Sequence, residues 1–456
     1  MDSEATIVVE NEFEVDQSLK HDLERISEVP DVERVVGSSD IGPAESETPE
    51  SIAVATKDIV YPEFCSNVIN CGMSLLRTGL HEDDITDDLL ERFCERLNSP
   101  DEEFRPNRDD LEGMLEQGAE YVVNEWEFDA GVLDNIENGG NLFKSGQPTW
   151  QVRQLVPPWI LRHPKSRQDT PIPDLSGNHF IEFQTVSDIL DPETASEWGL
   201  EEGEVLVAMH GDYNLTLYIN WHYANRFKLR EHAGTQAKLK LRLSKTLFHL
   251  WSGGIRSFPE NWRQYNDPAL FSGLDTNTSQ GQRYIEAHHA AMNFGYANRL
   301  LANQYMAAVL SDLKPNESEA ELLWDVGHDT IQQETVDREE YWIHRKALGN
   351  SIENKPAFIS GSYNLDSFLG KGGSNSQSHL QSYDHGVGNV IGYFESTEGI
   401  DSLPSTTRMF SLEDGGPIDT VDHISRKPIE RVVENVVENE ILSGVAWLRP
   451  IANIDA

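Results

Sequence analysis

The chain has 456 residues, enough to bury the core of one large enzyme-like domain or two medium ones. Its 78 acidic against 36 basic residues give a formal net charge of −42. That charge is spread over nearly every segment, which excludes an acidic tail as its source and reads as a surface adapted to a salt-rich cytoplasm.

Cys65, Cys71 and Cys94 make an odd count with no pairing pattern, so a disulfide framework is excluded and a reducing compartment is expected. The opening MDSEATIVVE lacks a basic stretch followed by an apolar one, and the sequence holds no apolar run long enough to span a bilayer. The expectation is a cytoplasmic protein with no membrane partner.

In chain order, residues 1–14 read as a disordered acidic N-terminus and 15–456 as one folded domain. GSSDIGPAESETPES, from Gly37, has the Ser, Pro and Glu content of a loop. INCGMSLLRT then opens a packed region. Residues 81–125 are expected to be helical, because Leu89, Leu90, Phe93 and Leu97 recur at helical spacing between acids. A Gly- and Pro-rich passage from Gly139 to Pro158 reads as loop.

GNHFIEFQTV and EVLVAMHGDYNLTLYI have the β-branched and aromatic content of strands, and each carries a histidine. Between Arg226 and Lys245 lie seven basic residues and one acid, Glu231. Within this island, in KLKLRLSK, Lys238, Lys240 and Arg242 alternate with leucines, which predicts a strand with one charged face, either a protected edge or a track for a polyanion. From Tyr284 to Leu313, Ile285, Met292, Tyr296, Leu300 and Ala307 predict a long amphipathic helix. Its adjacent His288 and His289 point about 100° apart and do not suit one metal.

Near the end, Pro428 suits a first helical turn, Val432, Val433, Val436 and Ile441 form a stripe, and Gly444 stops it before a short closing strand. No internal repeat and no long linker divides the chain. The fold class is therefore mixed α/β in a single domain, with central β-sheets surrounded by helices.

No Walker loop, dinucleotide fingerprint, HExxH helix or serine elbow is present, and LGKGGSN reads as a loop that merely turns. Cys71, His179, His210 and His328 each stand beside small or polar residues. One thiolate and several imidazoles form a shell suited to Mn²⁺, Zn²⁺ or Fe²⁺, although each residue taken singly is more often structural. In SYDHGVGN, His385 is followed by Gly386 and Gly388, which relieve the backbone of bulk beside it; the motif reads either as a capped turn or as a nucleophile that a large group can approach.

INCGMSLLRT, SGNHFIEF, AMNFGYANR, LWDVGHD, IHRKA, ISGSYNLDSFL, DHGVGN and VAWLRPI occur in the order found in RtcB RNA ligases, which the chain resembles from about residue 20 to its end. The resemblance implies one RtcB-type domain that joins RNA 2′,3′-cyclic phosphate or 3′-phosphate ends to 5′-hydroxyl ends, in tRNA splicing or RNA repair, using GTP and one or two Mn²⁺ ions. It implies that Cys71, His179, His210 and His328 are metal ligands and that His385 is the guanylated histidine. Asn178, Asp329, Ser362, Gly386 and Gly388 would lie at the nucleotide. The expected partner is RNA with broken ends, such as tRNA halves, with the basic strand at Lys238, Lys240 and Arg242 as a contact.

The sequence also departs from the family pattern. Val68 stands where an aspartate is expected, Asn389 for an arginine, Asp455 for a lysine, Gly42 for a histidine and Asp329 for an asparagine. Each lost basic residue removes a charge-assisted phosphate contact of about 1.5–3 kcal/mol. Two other readings follow from these losses: a metal-containing RNA-binding or regulatory protein that is not guanylated, and a GTP-independent phosphotransferase acting on RNA ends.

Overall fold

The computed structural model describes residues 6–9, 17–44, 48–143, 148–162, 170–211, 214–223, 235–264, 271–315 and 319–456. The strands are β1 (Thr6–Val9), β2 (Val32–Gly42), β3 (Glu50–Thr56), β4 (Ile59–Val60), β5 (Gly72–His81), β6 (Phe180–Ile189), β7 (Glu204–Gly211), β8 (Leu274–Asp275) and β9 (Glu321–Gly327). They continue with β10 (Asp329–Val336), β11 (Glu339–Lys346), β12 (Leu348–Asn350), β13 (Pro356–Ile359), β14 (Ser367–Gly372), β15 (Ser382–Asp384), β16 (Ser402–Ser411), β17 (Gly416–Ile424) and β18 (Leu442–Asp455). The α-helices are α1 (Gln17–Ser27), α2 (Asp87–Asn98), α3 (Arg108–Gln117), α4 (Ala119–Glu125), α5 (Val152–Leu155), α6 (Pro192–Glu197), α7 (Asn214–Tyr223), α8 (Thr235–Gln264), α9 (Ser279–Leu313), α10 (Gly388–Thr397) and α11 (Lys427–Glu438).

The larger sheet runs β13-β14-β18-β6-β7-β5-β9, with β16 joining β18 and β17 joining β16. Its pairs are antiparallel except β16 with β18. A second sheet runs β1-β2-β3-β11-β10. The expected mixed α/β class with central sheets and surrounding helices is what the chain adopts.

Helix α9 packs against α3, α4, α7 and β9, and it is buried on nearly every side rather than along one stripe. Several of its buried polar groups are bonded: Asn293 Oδ1 accepts the Leu142 amide at 2.7 Å, and Asn303 Nδ2 donates to Ser74 Oγ at 2.8 Å. Helix α2 is where its spacing predicts it, started by Thr86, whose hydroxyl accepts the Leu89 amide.

Several expectations change. Thr6–Val9, inside the segment expected to be disordered, pairs with β2; the rest of 1–14 lies outside the described residues. Gly37–Gly42 belongs to β2 rather than to a loop, since it pairs with β3. NLTLYI is helical in α7, because Leu215, Ile219 and Tyr223, four residues apart, all enter the core. Ile441 and Gly444 lie beyond α11, Gly444 within the 14-residue β18. Lys371 of LGKGGSN is in β14 and donates to Thr194 Oγ1 at 2.7 Å.

The predicted basic strand is part of helix α8. Lys245, Phe248 and His249 are buried, a helical spacing that overrides the short alternation before it. On a helix Lys240 and Arg242 diverge by about 200°, so the charges do not share a face; the side chain of Lys238 lies outside the described residues. No helix among the described residues is long and apolar enough to cross a membrane.

Candidate metal centre

Four strand ends meet at one margin of the large sheet. Gly72 at the start of β5 is paired with Gly211 at the end of β7 and with Gly327 at the end of β9, while Phe180 at the start of β6 faces His210. The residues flanking these positions are Cys71, His210, His328 and His179. Antiparallel pairing therefore gathers four candidate ligands, one thiol and three imidazoles, from four distant parts of the sequence.

Cys71 Sγ lies 3.2 Å from His210 Nε2 and 3.6 Å from His179 Nε2, and His210 Nε2 lies 3.3 Å from His328 Nε2. Ligands of a common tetrahedral ion stand roughly 3.3–3.8 Å apart when metal bonds are ~2.0–2.3 Å. Cys71, His179 and His210 offer ligand atoms all within 4.8 Å of one another, as do His210, His328 and His385, and Cys71, His328 and Asp329.

Backbone carbonyls fix the ring tautomers. His179 Nδ1 faces the Asp174 carbonyl at 2.9 Å, His210 Nδ1 the Asn178 carbonyl at 2.9 Å, and His385 Nδ1 the Ala347 carbonyl at 2.7 Å. A carbonyl only accepts, so each Nδ1 carries the hydrogen and donates, which leaves a lone pair on each Nε2. His328 Nδ1 is buried with no hydrogen-bond partner among the described residues. An orphaned imidazole nitrogen, inward lone pairs and a buried thiol form a donor set that fits a divalent transition metal.

Burial is the main cause holding His210 and His328 well below the ordinary histidine range, with neighbouring imidazoles adding to it. Burial also lowers His385, opposed by its bond to the Ala347 carbonyl and by the charge of Glu50. All three are then neutral, the form that binds metal or attacks phosphorus. The His328 and His385 rings stack with centroids 4.1 Å apart and planes 27° apart.

These side chains line a cavity of about 720 Å³. Asn178, Asp329, Ser362, Gly386 and Gly388 line it too, so every site residue picked out from the sequence is at one place. Asp329 Oδ1 accepts the Ala347 amide at 3.0 Å, and Oδ2 stands 3.8 Å from His328 Nε2. Val68 lines the wall where the family pattern has an aspartate.

Of the cavity's other carboxylates, the sequence reading passed over Asp40 and Glu50 and noted Asp455 only as a replaced lysine. Asp40, Glu50 and Asp455 join Asp329 on the lining, and among the described lining residues there is no lysine or arginine. Burial and the charge of Asp384 push Asp40 well above the usual carboxylate range, and burial raises Asp455. Also missed was Arg299, from AMNFGYANR. Its guanidinium pairs with Asp325 at 2.8 Å and donates from Nη1 to the Asn70 carbonyl at 2.7 Å, directly behind Cys71. The available signal was that Arg299 is the single Lys, Arg, Asp or Glu in the stretch from Ala287 to Val309.

A family model described as tRNA-splicing ligase RtcB matches residues 22–456. The tRNA-splicing ligase RtcB of Pyrococcus horikoshii is 25% identical over 431 residues, covering 84% of this chain and 44% of that protein. That of Thermococcus kodakarensis is 24% identical over 438 residues, covering 86% of this chain and 82% of that protein. RNA-splicing ligase RtcB homolog 1 of Entamoeba dispar is 25% identical over 317 residues, covering 65% and 50%. The chain spans less than half the length of the Pyrococcus relatives it matches.

Proposed function

The chain belongs to the RtcB family, and from that premise we propose that it is an RNA ligase, with residues 15–456 as its ligase domain acting in a salt-rich cytoplasm. Its substrates in this reading are RNA 3′-phosphate or 2′,3′-cyclic phosphate ends and 5′-hydroxyl ends, as in tRNA halves. The observation that carries it is the state of His385: neutral, with Nδ1 committed to the Ala347 carbonyl, it keeps a nucleophilic lone pair on Nε2 beside the Cys71, His179, His210 and His328 cluster.

In this reading Nε2 of His385 attacks the α-phosphorus of GTP and pyrophosphate leaves. GMP then passes to the RNA 3′-phosphate, and the 5′-hydroxyl displaces it to form the phosphodiester. Cys71, His179, His210 and His328 would hold Mn²⁺, with His385 and Asp329 within reach, and the metal would supply neutralisation of charge developing on phosphate oxygens. Gly386 and Gly388 carry no side chain that would obstruct a nucleotide over the imidazole; a Cβ on Gly388 would meet nothing within 4 Å. The basic cluster around Lys240 and Arg242 does not enter as an RNA track, because the helix disperses its charges.

The acidic lining favours a second reading, in which the protein binds metal and RNA without being guanylated. The acidic lining, with no lysine or arginine among its described residues, leaves a triphosphate without a protein counter-charge unless bound metal ions supply one.

Incubation with α-labelled GTP and Mn²⁺ at high KCl, comparing the parent with His385→Ala, separates the two. Label on the parent alone supports the ligase. No label on either protein while both still bind metal rejects it in favour of the second reading. Turnover of RNA ends without GTP would instead mark a GTP-independent phosphotransferase.

A further inference from the structure

The turn from Ser360 to Asp366 is tied down at almost every residue. Ser360 N donates to the His385 carbonyl at 3.0 Å, and Gly361 N donates to Ser367 Oγ at 3.0 Å. Leu365 N closes on the Ser362 carbonyl at 3.0 Å, and the Asn364 carbonyl accepts the Ile424 amide at 2.9 Å. Asp366 pairs with Arg426 at 2.6 Å. Tyr363, in the middle of the turn, is the exception. Its side chain is 46% exposed and makes no hydrogen bond or ring contact among the described residues, yet it lines the central cavity. The lining's other phenyl ring, Phe180, is already packed edge-on against His210 with centroids 5.7 Å apart. An anchored backbone that presents an uncommitted aromatic ring to a cavity is a preformed platform for a flat ligand.

The platform stands within one nucleotide's reach of the nucleophile. Ser360 bridges to Gly386, the residue after His385, and the three residues from Ser360 to Tyr363 span at most about 11 Å. A nucleotide covers that separation with its phosphate at His385 and its base at Tyr363. Charge leaves the base a large share of the binding. The lining gives a phosphate no lysine or arginine among its described residues, and a chain of net charge −42 repels a polyanion as a whole. Stacking on an aromatic ring needs no counter-charge and is not screened by salt.

We propose that the Tyr363 ring stacks against the base of a nucleotide whose phosphate lies at His385, either a nucleoside triphosphate or the 3′-terminal nucleotide of an RNA. This rests on the proposed function only in taking a nucleotide as the occupant of the cavity; it needs no guanylation.

Calorimetric titration of the full chain with Mn²⁺ present tests this. The probes are α,β-methylene GTP, whose α-phosphorus cannot lose pyrophosphate, a short 3′-phosphorylated RNA, and inorganic triphosphate, which has no base. Tyr363→Ala should weaken one or both of the first two by about 5- to 100-fold and leave inorganic triphosphate unchanged. Loss confined to α,β-methylene GTP assigns the stacked base to the triphosphate; loss confined to the RNA assigns it to the RNA end. Tyr363→Phe keeps the ring and should bind like the parent. Equal binding of both base-bearing probes by the parent and Tyr363→Ala overturns the proposal. So does a Tyr363→Phe variant as weak as Tyr363→Ala, or an equal loss for inorganic triphosphate. Failure of the ligase reading looks different: a parent that binds through Tyr363 but takes no label from GTP keeps the stacking and loses the ligase. A labelled parent whose binding ignores Tyr363→Ala does the reverse, and one that binds neither base-bearing probe overturns both.

Discussion

Asn389 fills the space that a side chain on Gly42 would need: a Cβ placed on Gly42 would overlap the Asn389 carboxamide. That carboxamide is held there by donating from Nδ2 to the Asp40 carbonyl at 2.9 Å. The two positions where the family pattern has a histidine and an arginine are therefore in contact, and their replacements fit each other. Gly42→Ala alone should destabilise the protein by about 1–3 kcal/mol through overpacking, and Asn389→Gly should restore most of that loss. Urea denaturation of the four corners of this cycle should give a coupling of at least about 0.5 kcal/mol; additive effects would refute the shared space.

Metal binding should depend on the thiolate as well as the imidazoles. Titration with Co²⁺ is expected to give a sulfur-to-metal charge-transfer band in the parent, absent in Cys71→Ser, with proton release as the ligands load. His210→Ala should weaken binding at least tenfold, since His210 Nε2 faces both Cys71 and His328. A metal at 100 times its dissociation constant should raise stability by about 2.7 kcal/mol. Cobalt spectra with no sulfur contribution in the parent would remove Cys71 from the centre.

The sequence made the candidate ligand residues readable because they stand in short motifs that occur in the family's order. What it did not reveal was backbone work. The tautomers of His179, His210 and His385 depend on the carbonyls of Asp174, Asn178 and Ala347, and a carbonyl is present at every residue whatever its side chain. Helix α8 was misread because Lys238 to Leu243 is too short a window: alternation over six residues imitates a strand, while the buried positions 245, 248 and 249 lie beyond it. Asp40 and Glu50 were hidden for a third reason. In a chain with 78 acids, a carboxylate facing a cavity has no compositional contrast with one facing solvent.

Arg299 and Asp325 form a pair with both side chains fully buried, and the same guanidinium holds the Asn70 carbonyl. Asn70 has φ of 58°, a left-handed conformation that places Cys71 at the sheet margin and needs such support. Arg299→Leu leaves Asp325 buried and uncompensated, which should cost about 3–5 kcal/mol. Its measurable signature beyond stability is metal affinity: once Asn70 is released, Co²⁺ binding should weaken about 10–100-fold in whatever fraction remains folded. A variant that loses stability but binds Co²⁺ like the parent would limit Arg299 to the core.

Glu182 gives the fold a pH dependence of calculable sign. Burial pushes its carboxyl up to about 8; the Gln184 amide opposes this, and the charges of Asp455 and Asp366 add to it. In the unfolded chain an ordinary glutamate ionises near ~4.3, so between those values the folded state holds a proton that the unfolded state has lost. Stability from this group is then complete below the unfolded value, falls as pH rises, and levels off above the folded one. The slope is at most about 1.4 kcal/mol per pH unit. Glu182→Gln keeps an oxygen to accept the Gln184 amide but cannot ionise. Urea unfolding of parent and variant at about pH 5.5 and about pH 8.5 should therefore show the variant losing less stability on the alkaline side. Equal losses in the two proteins would mean that Glu182 is already ionised in the native state, with a counter-charge at its side.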